Sequence, residues 1–268
     1  LASYEKALAV RPGDPGAWNG YGLGLRGMGR AEEALTAFDR ALTIKPDYAQ
    51  AWHNRGNALR DLKRFGDAVA SYDKALGLKP GSAEALNDRA ICLYFLNRID
   101  EALASYDEAV ALRPDYTDAL HSRGMIRWRE SRHYEAAVRD LENTIRIDPD
   151  HDYAPGDLLH LRMHGADWSG FAQQVSLIDA GVRAGKRVVD PFMYLAISEA
   201  PEDLRKCAEI FTGQFHPPAP MLRAKAGRGP GKIRVGYVSG EFRGQATAYL
   251  TAGLYECHDK SKFEIVAF

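Results

Sequence analysis

Cysteine is scarce in this chain, and so is any imbalance of charge. Three cysteines, Cys92, Cys207 and Cys257, stand far apart in 268 residues. A scattered, odd-numbered set argues against a disulfide framework and fits reduced thiols in a cytoplasmic protein. Lys and Arg number 35 against 36 Asp and Glu, a net charge of −1. No basic field therefore argues for nucleic acid, and no acidic excess argues for a solvating tail. No apolar run approaches the ~18 residues of a membrane-spanning helix. Residue 1 is Leu, not Met, and falls inside an apparent helix; the expectation is a natural chain that starts earlier, so a missing leader excludes nothing. What is present is an ordinary globular mixture, 46% hydrophobic and 26% charged, able to bury a core.

The strongest positive signal is a ruler of 34 residues. Pro12, Pro46, Pro80 and Pro114 are spaced by that length, and Pro149 follows after 35. Ahead of each proline come an aromatic and a small residue: Tyr4 and Ala7, Phe38 and Ala41, Tyr72 and Ala75, Tyr106 and Ala109. Behind it a new helix opens at Trp18, Trp52, Leu86 and Leu120, with Gly22, Gly56, Ala90 and Gly124 four residues on. The pattern resembles the tetratricopeptide repeat. Small residues let paired helices approach, large ones fill the gap to the next pair, and proline ends the second helix. The reading is a half repeat followed by four repeats over residues 1–149, forming a right-handed α-solenoid. The last repeat carries one extra residue within "RWRESRHYEAAV", which lengthens its inner turn.

Such arrays present their first helices as a binding surface. The side chains expected on it are Asn19, Leu23 and Arg26; His53, Asn54, Asn57 and Arg60; Asn87, Asp88, Ile91 and Tyr94; and His121, Met125 and Trp128. The early sets are polar and rich in amides. Ile91, Tyr94, Met125 and Trp128 bring apolar surface that repeat packing does not require, as a peptide-docking groove would. The competing expectation is that the segment downstream folds back over them.

From residue 150 the ruler fails, and 150–216 reads as a connecting helical segment. Gly165 is placed as a C-cap, Asp167 as an N-cap, and Pro191 and Pro201 near helix starts. His160 and His164 lie one turn apart, with Asp157 a turn earlier; without a glutamate after the first His or a nearby cysteine pair, packing or solvated histidines are favoured over a metal site. Residues 217–232, "PPAPMLRAKAGRGPGK", hold four prolines, three glycines, four basic residues and no acid, the composition of a linker.

Residues 233–268 change character again. "KIRVGYV" reads as a strand, "SGEFRGQ" as a loop, "ATAYLTAGLYECHD" as a helix and "KFEIVAF" as a second strand. That is a βαβ unit, the opening of a parallel sheet. Ligands of such sheets sit beyond the carboxyl ends of the strands, where Ser239–Gln245 lies. Gly236, Gly240 and Gly244 do not form a dinucleotide fingerprint.

The repeats, then "ADWS" and "DPFMYLAISEAPEDLRKCAEIF", then "IRVGYVSGEFRGQATAYLTAGLYECHDKSKFEIVAF", together resemble the bacterial branch of the O-linked N-acetylglucosamine transferase/Spindly family. The resemblance covers nearly the whole chain. It implies an inverting glycosyltransferase with two Rossmann-like lobes (a GT-B fold), a nucleotide-sugar donor such as UDP-N-acetylglucosamine, and Ser or Thr of proteins as acceptors. On that footing the chain is a fragment holding repeats, connecting helices and the start of the first lobe, inactive alone and without a cofactor or metal of its own. Loop candidates for the site are Glu241, Arg243 and Gln245. The family's Asp-Phe, two residues, then His reads here as Glu241, Phe242 and Gln245, and a second family His falls on Tyr249. A glutamine amide hydrogen-bonds but cannot act as a general base. The alternative is a non-catalytic repeat scaffold that binds a protein or peptide partner.

Overall fold

The computed structural model describes residues 1–130, 133–215, 233–237 and 263–267. They belong to two compact units, Leu1–Pro217 and Pro218–Phe268. In the first unit α1 (Ala2–Val10) stands as a half repeat. Four antiparallel pairs follow: α2 (Pro15–Gly27) with α3 (Ala31–Ile44), α4 (Ala49–Asp61) with α5 (Phe65–Leu78), α6 (Ala83–Phe95) with α7 (Ile99–Leu112), and α8 (Thr117–Arg129) with α9 (Tyr134–Ile147). The unit continues through α10 (Ala154–His164), α11 (Phe171–Arg183), the short α12 (Pro191–Tyr194) and α13 (Pro201–Phe215).

The prolines sit where the ruler puts them, just past a helix. α3, α5, α7 and α9 each stop two residues before Pro46, Pro80, Pro114 and Pro149. The intervening Lys45, Lys79, Arg113 and Asp148 leave helical geometry, with φ from −130° to −141°, because a residue ahead of proline is pushed toward extended backbone. Two tryptophans tie the next helix to this bend. The indole N–H groups of Trp18 and Trp52 donate to the carbonyls of Pro12 and Pro46 at 2.8 Å each. The turn within a pair has its own device. Gly29, Lys63 and Asn97, also 34 apart, adopt φ of +75°, +59° and +58°, and the next N–H reaches back to Leu25, Leu59 or Leu93.

Close approach within each pair explains the glycines. A Cβ on Gly22 would lie 2.6 Å from the Phe38 ring, and one on Gly56 would lie 2.5 Å from Tyr72. Phe38, Tyr72 and Tyr106 are fully or almost fully buried in consecutive pairs. The extra residue of the last repeat falls in its inner turn. Three residues separate α6 from α7 but four separate α8 from α9, and His133 N–H now bonds Arg127, six residues back.

Beyond the repeats a second core gathers Leu159, Ile178, Val182, Val188, Val189, Tyr194 and Cys207. Gly165 is the C-cap of α10 as expected. Asp167 is not the N-cap of α11: that place belongs to Gly170, at φ +65°. The Asp167 carboxylate instead accepts from the Ser169 amide and hydroxyl at 3.0 and 2.6 Å, an Asx-type turn contact two residues on.

In the second unit β1 (Ile233–Tyr237) and β2 (Phe263–Ala267) pair in parallel, in register from Ile233 with Phe263 to Tyr237 with Ala267. Of the expected βαβ unit these two strands are described. The expected helix, the loop with Glu241, Arg243, Gln245 and Tyr249, and the 217–232 linker lie outside the described residues.

Candidate functional site

Side chains on the first helices of successive repeats form rungs between neighbours. Asn54 donates to Asn19 at 2.8 Å, His53 meets Asp88 at 2.8 Å, and His121 meets Asp157 at 2.8 Å. Each rung joins one position to the following position of the next repeat, so the separations are 35, 35 and, across the insertion, 36 residues. The intermediate rung, Asn87 to Ser122, is not made. Asn87 Oδ1 is buried without a partner.

Charge on this face is largely settled within the protein. Arg26 donates to Asp61 at 2.6 Å, and Arg60 to Asp88 at 2.6 Å. Burial alone would raise the Asp88 carboxyl, but its bonds to His53 and Arg60 outweigh that and hold it below the usual carboxylate range. Behind the rungs a second array repeats. Arg55 bonds Asp39 and Ser71 (both 2.7 Å), and Arg89 bonds Asp73 and Ser105 (2.7 and 2.6 Å). In the last repeat Asp140 replaces the serine. Arg123 and Arg127 both clamp its buried carboxylate, at 2.6 to 2.9 Å, and both also reach Asp107.

Two adjoining cavities open along α8, one toward α6 and the other toward α10. The smaller, about 220 Å³, is lined by Ile91, Tyr94, Tyr106, His121, Ser122, Met125, Ile126 and Arg129. The larger, about 470 Å³, shares His121, Met125 and Arg129 and adds Trp128, Asp157 and His160. Its far wall comes from Tyr153, Asp190, Phe192, Met193 and Phe211. The downstream helices thus wall the groove without filling it. Trp128 is packed edge-on against His160 and lies near His164, with ring centroids at 5.1 and 5.6 Å. Desolvation and the neighbouring His164 push the His160 pKa down.

The residues expected on the surface divide accordingly. Ile91, Tyr94, His121, Met125 and Trp128 converge on the two cavities, half-buried. Arg60 is half-buried and held by Asp88. Asn54, Asn57 and Asn87 depart from the expectation of exposure: all three are buried, with Asn54 bonded to Asn19 and Gln50 and Asn57 accepting from Tyr72. Asn54 thus serves contact between repeats and Asn57 contact within its own pair, each pairing a polar group that burial would otherwise leave unsatisfied. Sequence reasoning passed over the 35-residue rungs, the arginine array, and the far wall at Tyr153, Asp190, Phe192 and Phe211. The first two left a signal: the rungs are polar pairs one residue out of step with the ruler, and the array repeats Arg55, Arg89 and Arg123 in step with it. The far wall left none, since it lies beyond the repeats.

His160 and His164 face one another at 4.5 Å, and no group of three or more metal-binding side chains is found among the described residues. Burial raises the Cys92 and Cys207 thiols to about 12 and about 11, so both stay protonated and are poor nucleophiles. No helix among the described residues is long and apolar enough to cross a membrane.

Residues 1–49, 22–83, 53–117 and 87–152 match the family described as tetratricopeptide repeat, overlapping stretches that span more than half of the chain. Among solved structures the chain is similar to YrrB, described as a tetratricopeptide protein with an unusual peptide-binding site, at 17% identity, with 77% of this chain and 97% of that one covered and a TM-score of 0.56. It is also similar to pilF of Pseudomonas aeruginosa (20% identity, 76% and 93% covered, TM-score 0.59). MamA of Desulfovibrio magneticus is a third likeness (19% identity, 63% and 96% covered, TM-score 0.58). At these identities the likeness speaks for the fold. No curated protein matches the sequence. The chain belongs to the tetratricopeptide-repeat family.

Proposed function

We propose that the chain is a peptide-capturing repeat scaffold whose docking site is the groove between α6, α8 and the α10–α13 segment. The observation that carries this is the pair of adjoining cavities, which share His121, Met125 and Arg129 and present Ile91, Tyr94, Met125 and Trp128 as apolar walls. An extended peptide placing neighbouring side chains in the two hollows buries apolar surface on a largely pre-formed site. The peptide-binding site named for YrrB supports the same use of the fold. The test is photo-crosslinking with peptides selected from a displayed random library against the immobilised chain. Labels are expected on α6, α8 or α13; labels confined to the Arg55 and Arg89 face would overturn the reading.

A second reading concerns the whole protein. The parallel pairing of β1 and β2, which demands a crossover connection, supports a Rossmann-like lobe beginning at residue 233. With the family resemblance, this favours a parent protein that is a cytoplasmic protein O-glycosyltransferase of the O-GlcNAc transferase/Spindly type. Its regions are then 1–149 for repeats, 150–216 connecting, 217–232 linking and 233–268 opening the transferase lobe. Its donor is a nucleotide sugar, UDP-N-acetylglucosamine by resemblance, with Glu241, Arg243 and Gln245 as loop candidates for lining the site and protein clients in the groove. Calorimetry of the parent protein with nucleotide sugars tests it: no binding of any of them refutes the transferase reading and leaves the scaffold.

A further inference from the structure

We propose that the larger cavity is a cation pocket that receives a lysine or arginine side chain of the bound peptide. This rests on the peptide-groove reading and adds the chemistry of the residue it selects. Rings from four separate elements border the cavity: Trp128 from α8, Tyr153 ahead of α10, Phe192 from α12 and Phe211 from α13. Aromatic faces carry negative charge density, and several rings around one hollow are an arrangement that favours a positive group.

The charges agree. Two carboxylates, Asp157 and Asp190, line the cavity against one guanidinium, Arg129. Asp157 is engaged by His121. Asp190 is fixed by its Oδ1, which accepts the Phe192 N–H at 2.8 Å, and has no ion-pair partner among the described residues. Arg129 is exposed at the seam with the smaller cavity, its guanidinium 5.9 Å from the Trp128 ring centre. A carboxylate ligand would face both acids, and a purely apolar one would strip water from Asp190 without compensation. A long aliphatic stem ending in a cation suits both the methionines, Met125 and Met193, and the acid. Phe192 also lacks a structural reason to be where it is, being 85% exposed. The smaller, apolar cavity next door then takes an aliphatic or aromatic neighbour, so the selected peptide pairs a basic residue with an apolar one.

Calorimetry of the 268-residue chain with blocked synthetic peptides tests this. The peptides are identical apart from one position, which holds lysine, arginine, norleucine or glutamate beside an isoleucine. Lysine or arginine should bind at least about tenfold tighter than norleucine, which has a lysine-like stem without its charge. That advantage should vanish in Asp190→Asn, which keeps the N-cap oxygen, and shrink in Phe192→Leu, which removes an exposed ring. Equal binding of norleucine and lysine would overturn the cation pocket while leaving the groove intact. Tightest binding of the glutamate peptide would overturn it in favour of Arg129. Failure of every peptide to bind would refute the groove reading as well.

Discussion

Gly56 has no side chain because the Tyr72 ring occupies the place of its Cβ, at 2.5 Å. Tyr72 cannot withdraw without giving up its 2.8 Å bond to Asn57. Gly56→Ala should therefore destabilise the protein by about 1–3 kcal/mol, the range for overpacking. Gly77, also in a helix, has open space around it, with nothing within 4 Å of where a methyl group would stand. Gly77→Ala should thus stabilise by roughly 0.5–1 kcal/mol through helix propensity alone. Denaturant titration of the two variants checks both signs. Single residues also set the acid response. His160 faces Trp128 and His164, with Asp157 and Arg129 on the same cavity wall, and desolvation followed by His164 lowers its pKa. Below the unfolded value near 6.5 the unfolded chain binds the proton more readily than the folded one, so stability present at neutral pH is lost as pH falls toward the lowered folded value. Between pH 7 and 5 the wild type should lose stability more steeply than His160→Gln, as thermal melts across that interval would reveal; parallel profiles would refute the assignment.

At the scale of elements, the helix pairs and their proline punctuation follow from the 34-residue ruler, because steric rules at proline and glycine act locally and leave their mark in the sequence. The rungs do not share that legibility. Asn54, Asn57 and Asn87 look like surface amides when each helix is viewed alone, yet all three are buried once the helices pack, Asn54 against the preceding repeat and Asn57 against Tyr72 of its own. The last repeat shows how an insertion is absorbed: its extra residue enters the α8–α9 turn, and Asp140 takes the serine's place under Arg123 and Arg127. This carboxylate, with 5% of its side chain exposed, ties α8 to α9 and, through the same arginines, to Asp107 of α7. Asp140→Asn leaves two half-buried guanidinium groups with Asp107 as their remaining shared counter-charge and should cost about 3 kcal/mol. Chemical unfolding measures it. A loss well under 1 kcal/mol, typical of exposed pairs, would show that the clamp contributes little.

On the scale of the whole molecule, the last repeat and the downstream helices share a core, in which Ala137 and Leu141 of α9 pack with Leu158 and Leu161 of α10, and they also share the walls of one groove. The near wall, Ile91, Tyr94, His121, Met125 and Trp128, is readable in the sequence because its residues fall on the groove side of the first helices, although Ile91, Tyr94, Met125 and Trp128 also pack against the adjoining cores. The far wall is not, since α12 and α13 meet it only through tertiary packing that no period announces. The central claim is that this groove captures peptide through its apolar anchors. Its most direct measurement is the affinity of a library-selected peptide for the wild type and for the Tyr94→Ala, Trp128→Ala double variant, with circular dichroism verifying the fold of each. A loss of about 2 kcal/mol or more is predicted for anchors of this kind; unchanged affinity in a folded double variant would contradict the account.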